Sequence, residues 1–119
     1  MGVPILKQGS YLIASIQSAL TDSEVLELRD DLADRIGRFR SQGIIIDVAA
    51  LDVIDSFVAR SLRTIARTAA LRGALTVIVG IQPEVAVAMV QFRLNLEPLQ
   101  TALDLDEALS LLDRHTVRT

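Results

Sequence analysis

Residues 43–57 read GIIIDVAALDVIDSF, and they pass from a β-branched run through an acidic connection to a serine. Ile44, Ile45, Ile46 and Val48 show no polar alternation. Such a run reads as a strand covered on both faces, the pattern of a parallel sheet under helices. Residues 49–55 form a short connection. A helix then runs from about Phe57 to Arg72. Val58, Leu62, Ile65 and Ala69 recur at helical spacing on its inner face, and Arg60, Arg63 and Arg67 share its outer face. Gly73 stands where a glycine C-cap belongs. Ser56 falls at or next to the N-cap.

Working outward from this segment, the same alternation continues in both directions. Downstream, residues 74–81 (ALTVIVGI) read as a second buried strand, and Pro83 opens a third helix at a position that proline tolerates. Residues 84–94 carry few charges, whereas a surface helix should be polar on one side. This helix therefore either meets another protein chain or is buried inside the fold. Residues 99–103 read as a last short strand. Asp104 and Glu107 start a final helix with Leu105, Leu109 and Leu112 inward. Upstream, Ile5 and Leu6 begin one short strand, Gly9 and Ser10 suit a turn, and residues 11–16 form a second strand, giving a hairpin. Thr21 and Glu24 have the capping-box spacing at the head of a helix over 22–40. Val25, Leu28, Leu32, Ile36 and Phe39 form its apolar stripe. Asp31/Arg35 and Asp34/Arg38 are spaced as i,i+4 ion pairs on a solvated face, each worth ~0.2–0.5 kcal/mol. The order is ββαβαβαβα. It predicts an α/β fold, a mixed β-sheet covered by about four helices, in one domain spanning 1–119.

Composition narrows the function. Of 119 residues, half are apolar, enough for one packed core and no more. The net charge is −3 and aromatics make up only 3%. Neither a basic footprint nor a set of stacking platforms for nucleic acid is present. Cysteine is absent, and His115 is the one histidine. Thiol chemistry, cysteine metal sites and three-histidine metal sites are excluded together, and His115 reads as a solvated side chain in a frayed C-terminal segment. No apolar run reaches the ~18 residues of a membrane span. The opening MGVPILKQGS lacks the basic and long apolar regions of a secretory signal, so the expected location is the cytoplasm.

The common activities of small α/β domains also fail. A phosphoacceptor receiver needs an acidic pair after its first strand and a lysine near its last. Asp47 can pose as the acceptor, but no acidic pair follows either early strand and the only lysine is Lys7. No glycine-rich phosphate loop is present. What remains is Asp52-Val53-Ile54-Asp55-Ser56-Phe57. One reading is a helix cap, worth ~0.5–2 kcal/mol. The other is a modification site, since a hydroxyl at a helix N-terminus is reachable and a phosphate there adds about −1.5 to −2 charge. The helix dipole favours that charge, while Asp52 and Asp55 oppose it by a similar amount. Phosphorylation would then alter docking and leave the fold unchanged.

The chain resembles the STAS-domain family of anti-sigma factor antagonists, and within it the small stressosome subunits of the RsbS type. The resemblance is carried by PILK at 4–7, SIQ at 15–17, IDVAALDVIDSF at 46–57, GIQPEVAVAMV at 80–90 and TALDLDEAL at 101–109. It implies the STAS fold and a non-catalytic phosphoprotein without cofactor or metal. It implies phosphorylation of Ser56 by an RsbT-type serine kinase using ATP. Unmodified protein, assembled with RsbR-type co-scaffold proteins in homo- and hetero-oligomers, would hold that kinase, and a separate phosphatase would reset the site. Asp55 and Phe57 are expected to flank the docking surface, with Arg60 on the partner face. Many relatives have a glycine shortly after the phosphoserine, where this chain has Phe57 and Val58, which fits the scaffold subgroup. The alternatives are a simple antagonist acting in small complexes and, less favoured, a nucleotide-binding module.

Overall fold

The computed structural model describes residues 2–117. Its elements are β1 (Ile5–Gln8), β2 (Tyr11–Ser15), α1 (Asp22–Phe39), β3 (Gly43–Asp47), α2 (Ser56–Leu71), β4 (Leu75–Val79), α3 (Pro83–Gln91), β5 (Gln100–Ala102) and α4 (Leu105–Val117). The expected order is therefore the observed one. The strands form a single sheet in the spatial order β1-β2-β3-β4-β5. β1 and β2 are an antiparallel hairpin with Gln8 opposite Tyr11, and every later neighbour pairs in parallel. The sheet is mixed for that reason: only the hairpin connection is short enough to reverse the chain directly.

Strand alternation divides the core. Leu12, Ala14, Ile44, Ile46 and Ile78 point to one face and pack against Leu28, Leu32 and Ile36 of α1, Leu62, Ile65 and Ala69 of α2, and Val85 and Met89 of α3. Tyr11, Ile13, Ile45, Val77 and Val79 point to the other and meet Ala108 and Leu112 of α4. Ile44, Ile45 and Ile46 are fully buried, as their unbroken β-branched run requires. Burying each such side chain contributes about 1.5–3 kcal/mol. The expected inward set of α4 needs correction. Leu112 is buried, Leu109 is half-buried, and Leu105 is 39% exposed because α4 begins at the rim of the sheet. Ala108, one turn before Leu112, takes the inward position in its place.

The caps explain where the helices start and stop. The Thr21 hydroxyl accepts from the Glu24 N–H at 3.2 Å, and the Glu24 carboxylate accepts from the Thr21 N–H at 2.9 Å. Two orphan donors of α1 are thus satisfied reciprocally. Asp34 and Arg38 close their i,i+4 pair at 2.7 Å. Asp31 and Arg35 do not close theirs, and Arg29 pairs with adjacent Asp30 at 3.0 Å. Gly73 ends α2 at φ 86°. Its N–H reaches the Ala70 carbonyl at 3.0 Å and the Ala74 N–H reaches that of Ala69 at 2.9 Å, a complete Schellman pair.

The third helix is not enclosed by the fold. Val85 and Met89 are buried, but Val87, Val90 and Phe92 are exposed, so α3 carries an apolar outer face. Among the described residues, no helix is long and apolar enough to cross a membrane.

Candidate functional site

The β3–α2 connection is fixed at both ends before it presents Ser56. At its start, Asp47 Oδ1 accepts from the Ala49 N–H at 2.9 Å and folds the chain over the end of β3. Across from it, the β4–α3 turn is held by Gly80 at φ 81°. A Cβ at that position would lie 2.9 Å from Ala49 Cβ, so both backbone angle and space require glycine. Gln82 then donates from Nε2 to the Ala49 carbonyl at 2.7 Å and ties the two loops together. Leu51 and Ile54 are buried and anchor the loop in the core, leaving Asp52, Val53 and Asp55 exposed. Val53, between the buried Leu51 and Ile54, is 69% exposed.

Asp55 is the N-cap of α2, and its Oδ1 accepts from the Val58 N–H at 2.9 Å. The Ala59 N–H is taken by the Asp55 carbonyl at 2.9 Å. Ser56 is therefore not the capping residue. It is the first residue of the helix, exposed, with its hydroxyl free of that duty and with the N–H groups of positions N1 and N2 lacking partners within the helix. No acidic residue lies in the first turn of α2 itself.

Ser56 sits on a ridge between two depressions. On one side, a hollow of about 430 Å³ opens between the 52–56 loop and α3, lined by Asp52, Val53, Asp55, Val85, Phe92 and neighbouring residues. Its walls are mainly apolar, and Phe92 stands 75% exposed at its edge. On the other side, a shallower groove runs between α1 and α2, where Phe57 and Arg60 meet Leu26, Arg29, Ser61 and Thr64. The sequence grouped Asp55, Phe57 and Arg60 around one docking surface. The fold spreads them over neighbouring depressions: Asp55 borders both the α3 hollow and a cavity between α1 and α2 that Val53 and Val58 also line, and Phe57 and Arg60 line the α1/α2 groove. On the outer face of α2, Arg60 and Arg67 are exposed and Arg63 donates to the Asn95 carbonyl at 2.6 Å.

Sequence reasoning missed two contributors. Gln82 was visible only as part of GIQP; its contact with Ala49 spans 33 residues and has no local signature. Val85, Ala88, Phe92 and Leu94 wall the hollow, and their only signal was the low polarity of residues 84–94. His115 lies far from this site. It is exposed within α4, not in a frayed tail, and borders a depression with Leu75 and Gln100 at the opposite end of the sheet. Among the described residues, no cluster of three or more His, Asp or Glu side chains has the geometry to hold a metal ion.

The model of the STAS domain matches residues 3–108. The chain belongs to the STAS-domain family. Among solved STAS structures, a Moorella thermoacetica RsbS with a serine-to-glutamate substitution is 37% identical, with 98% of each chain covered and a TM-score of 0.81. A chain from the molecular architecture of the stressosome is 34% identical, covering 95% of this chain and 98% of that one, with a TM-score of 0.75. The RsbT co-antagonist protein RsbRA of Bacillus subtilis is 29% identical over 94 residues, which cover 76% of this chain. The match spans about a third, 34%, of RsbRA's own length. The unphosphorylated anti-sigma factor antagonist SpoIIAA shares the STAS fold at 14% identity and a TM-score of 0.69. The chain is thus a STAS protein similar along nearly its whole length to an RsbS and to a stressosome chain.

Proposed function

We propose that this STAS chain, read as one domain over 1–119, is a non-catalytic phosphoswitch and scaffold subunit of a cytoplasmic stress-signalling complex. Unmodified, and assembled with RsbR-type co-scaffold proteins, it holds an RsbT-type serine kinase. The kinase transfers the γ-phosphoryl group of ATP to Ser56 Oγ, with release of ADP and a proton. The modified surface then lets the kinase go, and a phosphatase restores the hydroxyl. Asp55, Phe57 and Arg60 contribute to the docking surface on both sides of the ridge.

One observation carries this reading. An exposed serine, relieved of capping by its neighbour Asp55, stands at N1 of α2 beside an apolar hollow in a chain 37% identical to an RsbS over 98% of both chains. The physical chemistry supports a change of partner with an unchanged fold. The helix dipole favours a phosphate at N1 by ~0.3–2 kcal/mol. Asp52 and Asp55 oppose it by a comparable amount, so little net free energy acts on the fold. A partner seated over Val53 and Phe92 would have to strip water from the phosphate, which costs far more.

The test is intact-mass analysis after incubation with the candidate kinase, ATP and magnesium. Wild type is expected to gain a single phosphate and Ser56→Ala none. No phosphate on wild type, with the kinase active on another substrate, would remove the modification and leave Ser56 as an ordinary first-turn residue.

A further inference from the structure

We propose that Arg60 is the intramolecular counter-ion of phosphorylated Ser56, an inference that rests on the phosphoswitch reading of that serine. Ser56 and Arg60 stand four residues apart on α2, and both are exposed. This spacing stacks their side chains on one helix face, with Cβ atoms ~5–6 Å apart. The anion is the N-terminal member of the pair. That order is the favoured one for an i,i+4 pair, and the anion sits at the helix N-terminus, where the dipole favours it. A planar guanidinium matches two phosphate oxygens with two parallel N–H donors.

The other nearby arginines are engaged. Arg63 donates to the Asn95 carbonyl at 2.6 Å, and Arg29 is paired with Asp30 at 3.0 Å. Arg60 has neither an ion pair nor a hydrogen bond among the described residues, and it lies along the α1/α2 groove beside Leu26 and Phe57. The charged groups that line the depressions beside Ser56 are Asp52 and Asp55 of its own loop, and Arg29 of α1 and Arg60 on the groove side; Glu84 of α3 and Arg93, just past the end of α3, line neither. The carboxylates resist the second ionisation of the phosphate. Arg60 favours it from one turn away on the same face. Pairing also draws the guanidinium out of the groove toward the ridge. One modification thus alters both depressions: it charges the rim of the α3 hollow and uncovers Leu26 and Phe57 on the α1 side.

The experiment is a phosphorus-31 NMR titration of the full chain with phosphoserine genetically encoded at position 56, so that no kinase is needed. Arg60→Gln is expected to raise the second pKa of the phosphate by about 0.2–0.4 unit. Arg67→Gln, the same charge change farther along that face, is expected to leave it where it is in wild type. Both side chains are exposed, and circular dichroism checks that each variant is folded. Equal values for wild type and Arg60→Gln, or equal shifts from the two variants, would overturn the pairing. Failure of the kinase to modify wild type would count against the phosphoswitch reading and would not alter this titration, so the two ideas fail separately.

Discussion

Thr76 is 2% exposed in β4, and its hydroxyl has no hydrogen-bond partner among the described residues. A buried unpaired hydroxyl costs about 1–3 kcal/mol relative to an apolar group of the same shape. Thr76→Val is therefore expected to raise stability by about 1 kcal/mol, read as a higher urea midpoint at unchanged slope. A lower midpoint would mean that the hydroxyl serves the fold in some other way. At this scale the sequence was informative where partners are close along the chain. Ser56 at or next to an N-cap followed from the switch of pattern between residues 48 and 58. The choice of Asp55 as the capping residue did not, because serine and aspartate cap equally well. Only the bond from the Val58 N–H to Asp55 Oδ1 decides it, and that bond leaves the Ser56 hydroxyl available.

Among the elements, α1 is the most locally determined. Its capping box lies within four residues, and the Glu24 carboxyl is held below its ordinary value chiefly by the bond it accepts from the Thr21 N–H. Because the folded value is lowered, this contribution is complete above the ordinary glutamate range and is lost as pH falls through the folded value. Thr21→Ala is expected to lower stability by about 1 kcal/mol at neutral pH. Glu24→Ala, which removes the carboxylate that accepts from the Thr21 N–H, is expected to lower stability as well, and its difference from wild type should narrow on acidification, followed by chemical denaturation across pH. A Glu24→Ala difference independent of pH would show that the carboxylate charge adds nothing to the box. The final helix was harder to read. Leu105, Leu109 and Leu112 fit a helical stripe, but periodicity cannot tell where a helix first reaches the sheet, and Leu105 lies beyond its rim. The third helix posed the same difficulty. Its composition does not distinguish an outer face from an inner one, and only the positions of Val87, Val90 and Phe92 reveal that an apolar face is left in solvent.

Over the whole molecule, the alternation of buried β-branched runs with amphipathic helices was enough to predict a mixed sheet, and the hairpin was enough to predict its one antiparallel pair. What the order of elements could not supply is the meeting of the β3–α2 and β4–α3 loops at one end of that sheet. Gly80 and Gln82 bring them together, and their meeting creates the hollow beside Ser56. The proposed docking surface is thus a product of tertiary structure, whereas the serine proposed to be modified is visible in the sequence. In the proposed switch, a phosphate on Ser56 changes what docks across these loops while the sheet and helices stay as they are. The most direct measurement is sedimentation velocity of the candidate kinase mixed with this protein and its RsbR-type co-scaffold, using unmodified and Ser56-phosphorylated chain in parallel. The kinase is expected to sediment with the unmodified complex and to run free of the phosphorylated one, with both forms giving the same circular dichroism spectrum. Equal retention of the kinase by the two forms would contradict the switch.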